Sequence, residues 1–272
     1  MPELPEVETT RRGIAPHVTG KRISELLLHE PRLRWPVPQS VAEAVRGAHI
    51  RAVRRRAKYL LMELDQGATL LLHLGMSGNL RVLPATTPRL KHDHFDLLLE
   101  DGQTLRFNDP RRFGSLHLVT HDPGSHFLLA KLGPEPLEDD FTSEYLWRVS
   151  RGRRVAVKPF LMNAQVVVGV GNIYASEALF RAGVRPGRQA RRLTREEVDK
   201  IVEAIKTVLA MAVKVGGTTL RDYVGADGSP GYFRQKLFVY ERADEPCRRC
   251  RMPIRHRVQA QRSTYWCHSC QC

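Results

Sequence analysis

Residues 247–272 read CRRCRMPIRHRVQAQRSTYWCHSCQC and hold all five cysteines of the 272-residue chain. Two C-x2-C pairs, Cys247 with Cys250 and Cys267 with Cys270, are separated by sixteen residues. Each pair can reach around one side of a tetrahedral ion, and the segment between has the length of a β-hairpin. The spacing therefore predicts a four-cysteine zinc site. Four thiolates close the coordination sphere, so the ion is expected to be structural. Arg248, Arg249 and Arg251 are placed to help keep the thiols ionised. Cys272 and His268 lie within reach as alternative ligands. The histidine pair of a ββα finger is missing, which argues against base-by-base reading of DNA. Arg257, Gln261 and Arg262 sit on the hairpin, where a basic side chain can grip phosphate.

Upstream of this module the grammar is helical. SEYLWRVS (143–150), VAVKPFLM (155–162), NIYASEALFRAG (172–183) and TREEVDKIVEAIKTVLAMAVKVGG (194–217) carry the apolar spacing of amphipathic helices. Thr194 with Glu197 makes a capping box for the last helix, and Gly216-Gly217 stops it. TLRDYVGADGSPGYFRQ (219–235) reads as a glycine-rich loop, and LGPEPLEDDF (132–141) as a proline-rich acidic linker.

From residue 20 to about 120 the pattern changes to strand-length apolar runs: RISELLLHE, AHIRAVRRRAKYLLMEL, ATLLLHLGM, HFDLLLEDG, TLRFN and SLHLV. Asp101-Gly102 is a hairpin signal between two of them, and the region reads as an antiparallel β-sandwich. A helix should precede it, because Pro5 suits a first turn and Glu6 and Glu8 suit the positive end of a helix dipole. The expected fold class is α+β and multidomain. Its parts are a β-sandwich over 1–131, a linker over 132–141, a helical domain over 142–236 and a zinc finger over 237–272.

Forty-three Lys and Arg against 29 Asp and Glu give a formal charge of +14 and a pI near 10.0. A chain this basic favours a polyanionic partner, because neutralised phosphates release counterions. The charge is clustered, at Arg51, Arg54, Arg55, Arg56 and Lys58 and again at Arg151, Arg153, Arg154 and Lys158, although such runs are often a solvated face. No run is long and apolar enough for a membrane helix, and the acidic, proline-bearing start lacks the form of a secretory signal. A cytoplasmic, nucleoid-associated protein is expected.

The N-terminus carries potential chemistry of its own. Removal of Met1 would expose the secondary amine of Pro2. An α-amine has a pKa near 8, and burial beside a cation such as Lys58 would leave much of it nucleophilic at neutral pH. Attack on a sugar C1′ gives an iminium, an electron sink that promotes elimination of phosphate. Glu3 is close enough to act as acid or base. With Met1 attached, the Pro2 nitrogen is an amide and inert.

MPELPEVETTRRG closely resembles the opening of the formamidopyrimidine-DNA glycosylases. The resemblance continues in family order through RRRAKYL (54–60), HLGMSG (73–78), KHDHFD (91–96), NDPRRFG (108–114), LGPEPL (132–137), VVGVGNIYASEALF (167–180), GGTTLRDYV (216–224), GYF (231–233) and the QR-x-T-Y-W-C-x-x-C ending (261–270). It implies a helix–two-turn–helix domain between the sandwich and the zinc finger. It implies a monomeric DNA glycosylase and AP lyase of base excision repair. Its partner would be duplex DNA holding oxidised bases or abasic sites, and it would need no organic cofactor. It makes Pro2 the Schiff-base nucleophile and Glu3 the general acid, supported by Glu6, with Lys58 and Arg262 catalytic through phosphate. His73, His92, Arg111, Arg153, Asn172 and Tyr240 become DNA contacts. Met76, Arg111 and Phe113 fill the gap left by the extruded base, and the segment 218–233 closes over that base. Read locally, Met76 fits a core, Asn172 an ordinary N-cap and Lys58 a wet surface.

Two rivals differ in testable ways. The endonuclease VIII branch shares Pro2 and Glu3 but prefers oxidised pyrimidines; Leu4 and the Met76, Arg111 and Phe113 set favour the purine branch. A DNA-binding protein with a dead site would form no trappable imine.

Overall fold

Glu3 opens the first helix, α1 (Leu4–Val18). Pro5 occupies the first turn, where its missing N–H removes no helical bond. The Glu6 carboxylate accepts the Glu3 N–H at 2.9 Å, closing a capping box. Leu4, Val7, Ile14 and Val18 form the buried face of the helix. The computed structural model describes residues 2–217 and 237–272. Its described residues form two compact units: 2–130 with 215–217, and 131–214 with 237–272.

In the first unit α1 is followed by β1 (Ile23–Leu28), α2 (Gln39–Val45), β2 (Ile50–Arg56), β3 (Tyr59–Leu64), β4 (Thr69–His73) and β5 (Asn79–Pro84), then β6 (Asp93–Leu99), β7 (Gln103–Asn108) and β8 (Ser115–Val119). They form two four-stranded antiparallel sheets, ordered β1-β6-β7-β5 and β2-β3-β4-β8. Ile23, Leu26, Phe95, Leu105 and Phe107 of one sheet share a buried core with Val53, Leu60, Met62, Leu72 and Leu116 of the other. This is the predicted sandwich. Asp101-Gly102 makes the β6–β7 turn, with Gly102 at a φ of 80°.

The run AHIRAVRRRAKYLLMEL is two strands, not one. The chain reverses at Ala57-Lys58, with Ala57 at a φ of 55°. A non-glycine residue there costs on the order of 1 kcal/mol. Arg55 offsets it by donating from Nη1 to the Ala57 carbonyl at 3.0 Å.

The second unit holds α3 (Ser143–Ser150), α4 (Val157–Leu161), α5 (Asn172–Ala182), α6 (Arg195–Lys214) and the ribbon β9 (Arg255–Gln259) with β10 (Arg262–Trp266). The α6 capping box forms as expected: Glu197 N–H donates to Thr194 Oγ1 at 3.2 Å, and Thr194 N–H to Glu197 Oε2 at 2.8 Å. Gly216 and Gly217 follow at φ near +79° and +78°. Among the described residues no helix is long and apolar enough to cross a membrane.

Candidate active site and metal centre

Pro2 and Glu3 are buried where the chain enters α1, with Glu3 2% exposed and Glu6 1%. Gly217 makes room for this arrangement, since a Cβ there would stand 2.8 Å from Glu6 Oε1. One turn on, Glu8 ties α1 to β2. It accepts from Arg11 at 2.8 Å, Arg12 at 2.8 Å and Arg55 at 3.2 Å. Burial alone would raise the Glu8 pKa, but the surrounding guanidinium groups hold it at about 2. Arg55 is thus a structural cation of the hairpin that presents Lys58. Met1 and the expected base-covering segment 218–233 lie outside the described residues.

Lys58 sits at the tip of the β2–β3 hairpin, and His73 pairs across the neighbouring strands with Tyr59, ring centroids 4.8 Å apart. Burial, then Lys58 and Arg34, pull the His73 pKa down to about 4, so the ring is neutral at pH 7. Its Nδ1 accepts the Gly75 N–H at 2.9 Å, which leaves the proton on Nε2 as a donor.

Met76, Arg111 and Phe113 are brought onto one platform. Asp109, fully buried, accepts from Ser77 Oγ at 2.6 Å through Oδ1 and from Gly114 N–H at 2.8 Å through Oδ2. The Arg111 N–H also approaches Oδ1 at 3.3 Å. The loop at 74–78 and the loop at 109–114 are therefore clamped by one carboxylate. Phe113 is 44% exposed with the Arg111 guanidinium 5.0 Å above its ring, and Met76 is half-buried. The KHDHFD motif supports the platform from behind. The His92 carbonyl accepts Asp109 N–H at 3.0 Å, and His94 Nε2 donates to the Asp109 carbonyl at 2.7 Å. His92, half-buried at a φ of 72°, serves the platform through its backbone.

In the second unit Asn172 is the first helical residue of α5, after Gly171 as N-cap. Its Nδ2 lies 3.4 Å from Tyr240 Oη, and its Oδ1 is buried with no partner among the described residues. Tyr240 is positioned by Glu177 of α5, which accepts the backbone N–H groups of Phe238, Val239 and Tyr240 at 2.8, 2.9 and 2.9 Å. Arg153 is exposed in the turn after α3. Arg262 is exposed at the ribbon tip, beyond a two-residue turn in which Ala260 and Gln261 adopt φ of 48° and 59°. Lys158 does not belong to the basic face its neighbours suggest. It is 1% exposed, and its Nζ donates to the Ser263 carbonyl at 2.7 Å and Thr264 Oγ1 at 2.9 Å, tying α4 to the strand that begins with Arg262.

The sulfurs of Cys247, Cys250, Cys267 and Cys270 all lie within 4.8 Å of one another, with Cys247–Cys270 at 3.9 Å and Cys250–Cys267 at 3.4 Å. A tetrahedron with Zn–S bonds of about 2.3 Å has edges of roughly 3.8 Å, so the four thiolates fit one zinc. The Met252 N–H holds the Cys250 thiol down to about 6, while burial pushes Cys267 and Cys270 up. A divalent cation supplies the charge that lets all four ionise together. Arg249 lies over the Phe180 ring at 4.6 Å and Arg248 over Phe238 at 5.9 Å, so both pack on aromatic rings. Cys272 is exposed, and neither it nor His268 belongs to the cluster.

Three family descriptions match in order: the formamidopyrimidine-DNA glycosylase N-terminal domain over residues 1–116, the H2TH domain of the same enzymes over 132–224, and a zinc finger found in FPG and IleRS over 244–271. The formamidopyrimidine-DNA glycosylase of Thioalkalivibrio sulfidiphilus is 58% identical over 271 residues, covering 100% of both chains. The chain belongs to the formamidopyrimidine-DNA glycosylase family. It is a DNA glycosylase of base excision repair with one structural zinc.

Solved glycosylases of the family share the whole architecture. The MutM (Fpg) protein of Thermus thermophilus is 42% identical, with a TM-score of 0.90 over 99% of this chain and 98% of its own. A Lactococcus lactis Fpg in complex with abasic-site DNA is 33% identical, with a TM-score of 0.93 over 99% of both chains. The fold is therefore an N-terminal antiparallel sandwich, a helical H2TH domain and a β-hairpin zinc finger.

Residue-by-residue reading missed the supports of these sites. The one local signal at Asp109 is the Asp-Pro turn pattern within NDPRRFG. Glu177 stands among small and apolar residues in YASEALF, with nothing local to point to its backbone partners.

Proposed function

We propose that this glycosylase excises oxidised purines, 8-oxoguanine opposite cytosine and formamidopyrimidines, through an imine formed by Pro2 and then cleaves the strand by β,δ-elimination. The burial of Pro2 and Glu3 at the capped entry of α1 carries this reading. The Lactococcus lactis relatives bound to Fapy-dG and abasic-site DNA support it. The target nucleotide leaves the stack, since C1′ is out of reach within it. Met76 and Phe113 wedge into the gap and Arg111 offers donors to the estranged cytosine. Lys58, His73, Asn172, Tyr240 and Arg262 hold phosphates on the two units, with His92 and Arg153 as further contacts.

The Pro2 nitrogen attacks C1′ and the damaged base departs. Glu3 then donates a proton that opens the deoxyribose ring, and the resulting iminium carries the positive charge. Loss of the C2′ proton expels the 3′ phosphate, and a second elimination expels the 5′ phosphate. Glu6 keeps the Glu3 backbone in place throughout.

Borohydride trapping on an 8-oxoguanine:cytosine duplex tests the reading. A covalent adduct is expected when Pro2 is the free N-terminus and none when Met1 is retained. DNA binding without an adduct by the processed protein would overturn it in favour of a non-catalytic binder. Trapping confined to oxidised pyrimidines would move the enzyme to the endonuclease VIII branch.

A further inference from the structure

The zinc ribbon carries a second basic feature away from its tip. Arg185, Arg255, Arg257 and Trp266, with His256 and His268, line an open pocket of roughly 380 Å³. The Arg257 guanidinium lies 5.4 Å over the Trp266 ring and packs so closely on Gly187 that a Cβ there would stand 2.0 Å from Nη2. Exposed Arg22, Arg46, Arg54 and Arg195 each pair with a glutamate. Among the described residues, Arg185, Arg255 and Arg257 have no such partner. Three guanidinium groups lining one pocket with no carboxylate among its lining residues favour an anion there.

The register identifies that anion. Arg262 lies opposite Gln259, Thr264 opposite Arg257 and Trp266 opposite Arg255. Directly opposed residues share a face and alternate residues repeat it, so Arg262, Arg257 and Arg255 stand along one side of the ribbon. At about 3.3 Å per residue, Arg257 is roughly 7 Å and Arg255 roughly 13 Å along the strands from the level of Arg262. A line of cations beside a flat aromatic wall suits a linear polyanion with sugars between its charges better than a single small anion. We infer that this pocket binds backbone phosphates of duplex DNA outside the lesion, extending the footprint along the zinc ribbon. The inference rests on the duplex-DNA reading above.

The test uses the full-length, zinc-loaded enzyme and two duplexes, a long one of roughly 24 base pairs with a central tetrahydrofuran abasic analogue and a short one cut to about two base pairs on the side of the analogue that faces the ribbon (both orientations being made), titrated across a range of salt concentrations. Wild-type enzyme is expected to bind the longer duplex more tightly and with a steeper salt dependence. An Arg255→Ala/Arg257→Ala double variant is expected to lose that gain, its salt slope on the long duplex falling by about 0.9 for each phosphate contact removed. Its binding to the short duplex and its zinc content stay unchanged, and an Arg255→Lys/Arg257→Lys variant recovers most of the slope. Equal slopes for wild type and the alanine variant on the long duplex would overturn the inference, as would equal losses on both lengths. Wild-type enzyme that failed to prefer the abasic duplex over undamaged DNA would instead overturn the repair reading, and the length comparison could still be made on undamaged DNA.

Discussion

Gly75 and Gly114 meet backbone to backbone: a Cβ on Gly75 would stand 2.4 Å from the Gly114 nitrogen and 2.5 Å from the Phe113 carbonyl carbon. Gly75 also sits at a φ of 68°. Gly75→Ala therefore forces the two clamped loops apart. Affinity for an abasic-analogue duplex is expected to fall at least about tenfold, a loss of roughly 1.4 kcal/mol. Gly102→Ala is the control, because Gly102 has a similar φ of 80° but nothing within 4 Å of a new Cβ. It should lose a little stability and no affinity. Equal affinity losses in both variants would show that strain, not separation of the loops, is responsible.

Lys158→Met leaves the Ser263 carbonyl and buried Thr264 Oγ1 without their donor. Removing one partner from a buried polar group costs about 2 to 4 kcal/mol. Thermal unfolding should move down accordingly, and a chelator should extract zinc faster, because the strand leading to Cys267 loses its tie to α4. Arg154→Met, on the exposed neighbour, should change neither. Unaltered zinc release from the Lys158 variant would contradict the tie.

Glu8→Gln tests the α1–β2 link by its pH dependence. The folded Glu8 pKa is lowered from 4.5 to about 2, so its contribution is complete above pH 4.5 and is lost as pH falls through 2. At pH 7 the variant should be roughly 2 kcal/mol less stable than wild type, with some allowance for solvent screening. The gap should narrow below pH 4.5 and nearly close at pH 2. Chemical denaturation at several pH values measures it, and a gap constant from pH 7 to pH 2 would show that the carboxylate charge contributes nothing.

Zinc removal should unfold the ribbon rather than merely loosen it, because apolar contacts around Cys247, Ile254, Cys267 and Val239 form a small cluster. Small cores of this kind depend on their metal. Chelation should abolish DNA binding, and added zinc should restore it. Cys267→Ser should reproduce the loss, whereas Cys272→Ser should keep a full zinc complement, since Cys272 stands outside the cluster. A deficit of zinc in the Cys272 variant would return that thiol to the ligand set.

Local sequence made the zinc cluster, the sandwich and the α6 caps legible because each depends on neighbours in the chain. The Ala57-Lys58 and Ala260-Gln261 turns were not legible, for they hold positive φ without glycine or asparagine and are enforced by hydrogen bonding and strand pairing. β5 escaped notice as an edge strand ending at Pro84. Lys158 looked like part of a wet cationic run because nothing near it in sequence reveals Ser263 and Thr264, more than a hundred residues away. Family resemblance supplied roles for Met76 and Asn172 that local composition would have assigned to a core and a cap.

Asp109 holds its two loops through Ser77 Oγ and the backbone nitrogens of Arg111 and Gly114. None of the side chains of Met76, Arg111 or Phe113 takes part in those bonds. The frame and the tool it carries are thus separable inheritances. Under the gap-filling role proposed for these three side chains, exchanging them retunes which opposite base is tolerated while the mounting stays intact, so divergence in specificity proceeds through them without first re-evolving a scaffold.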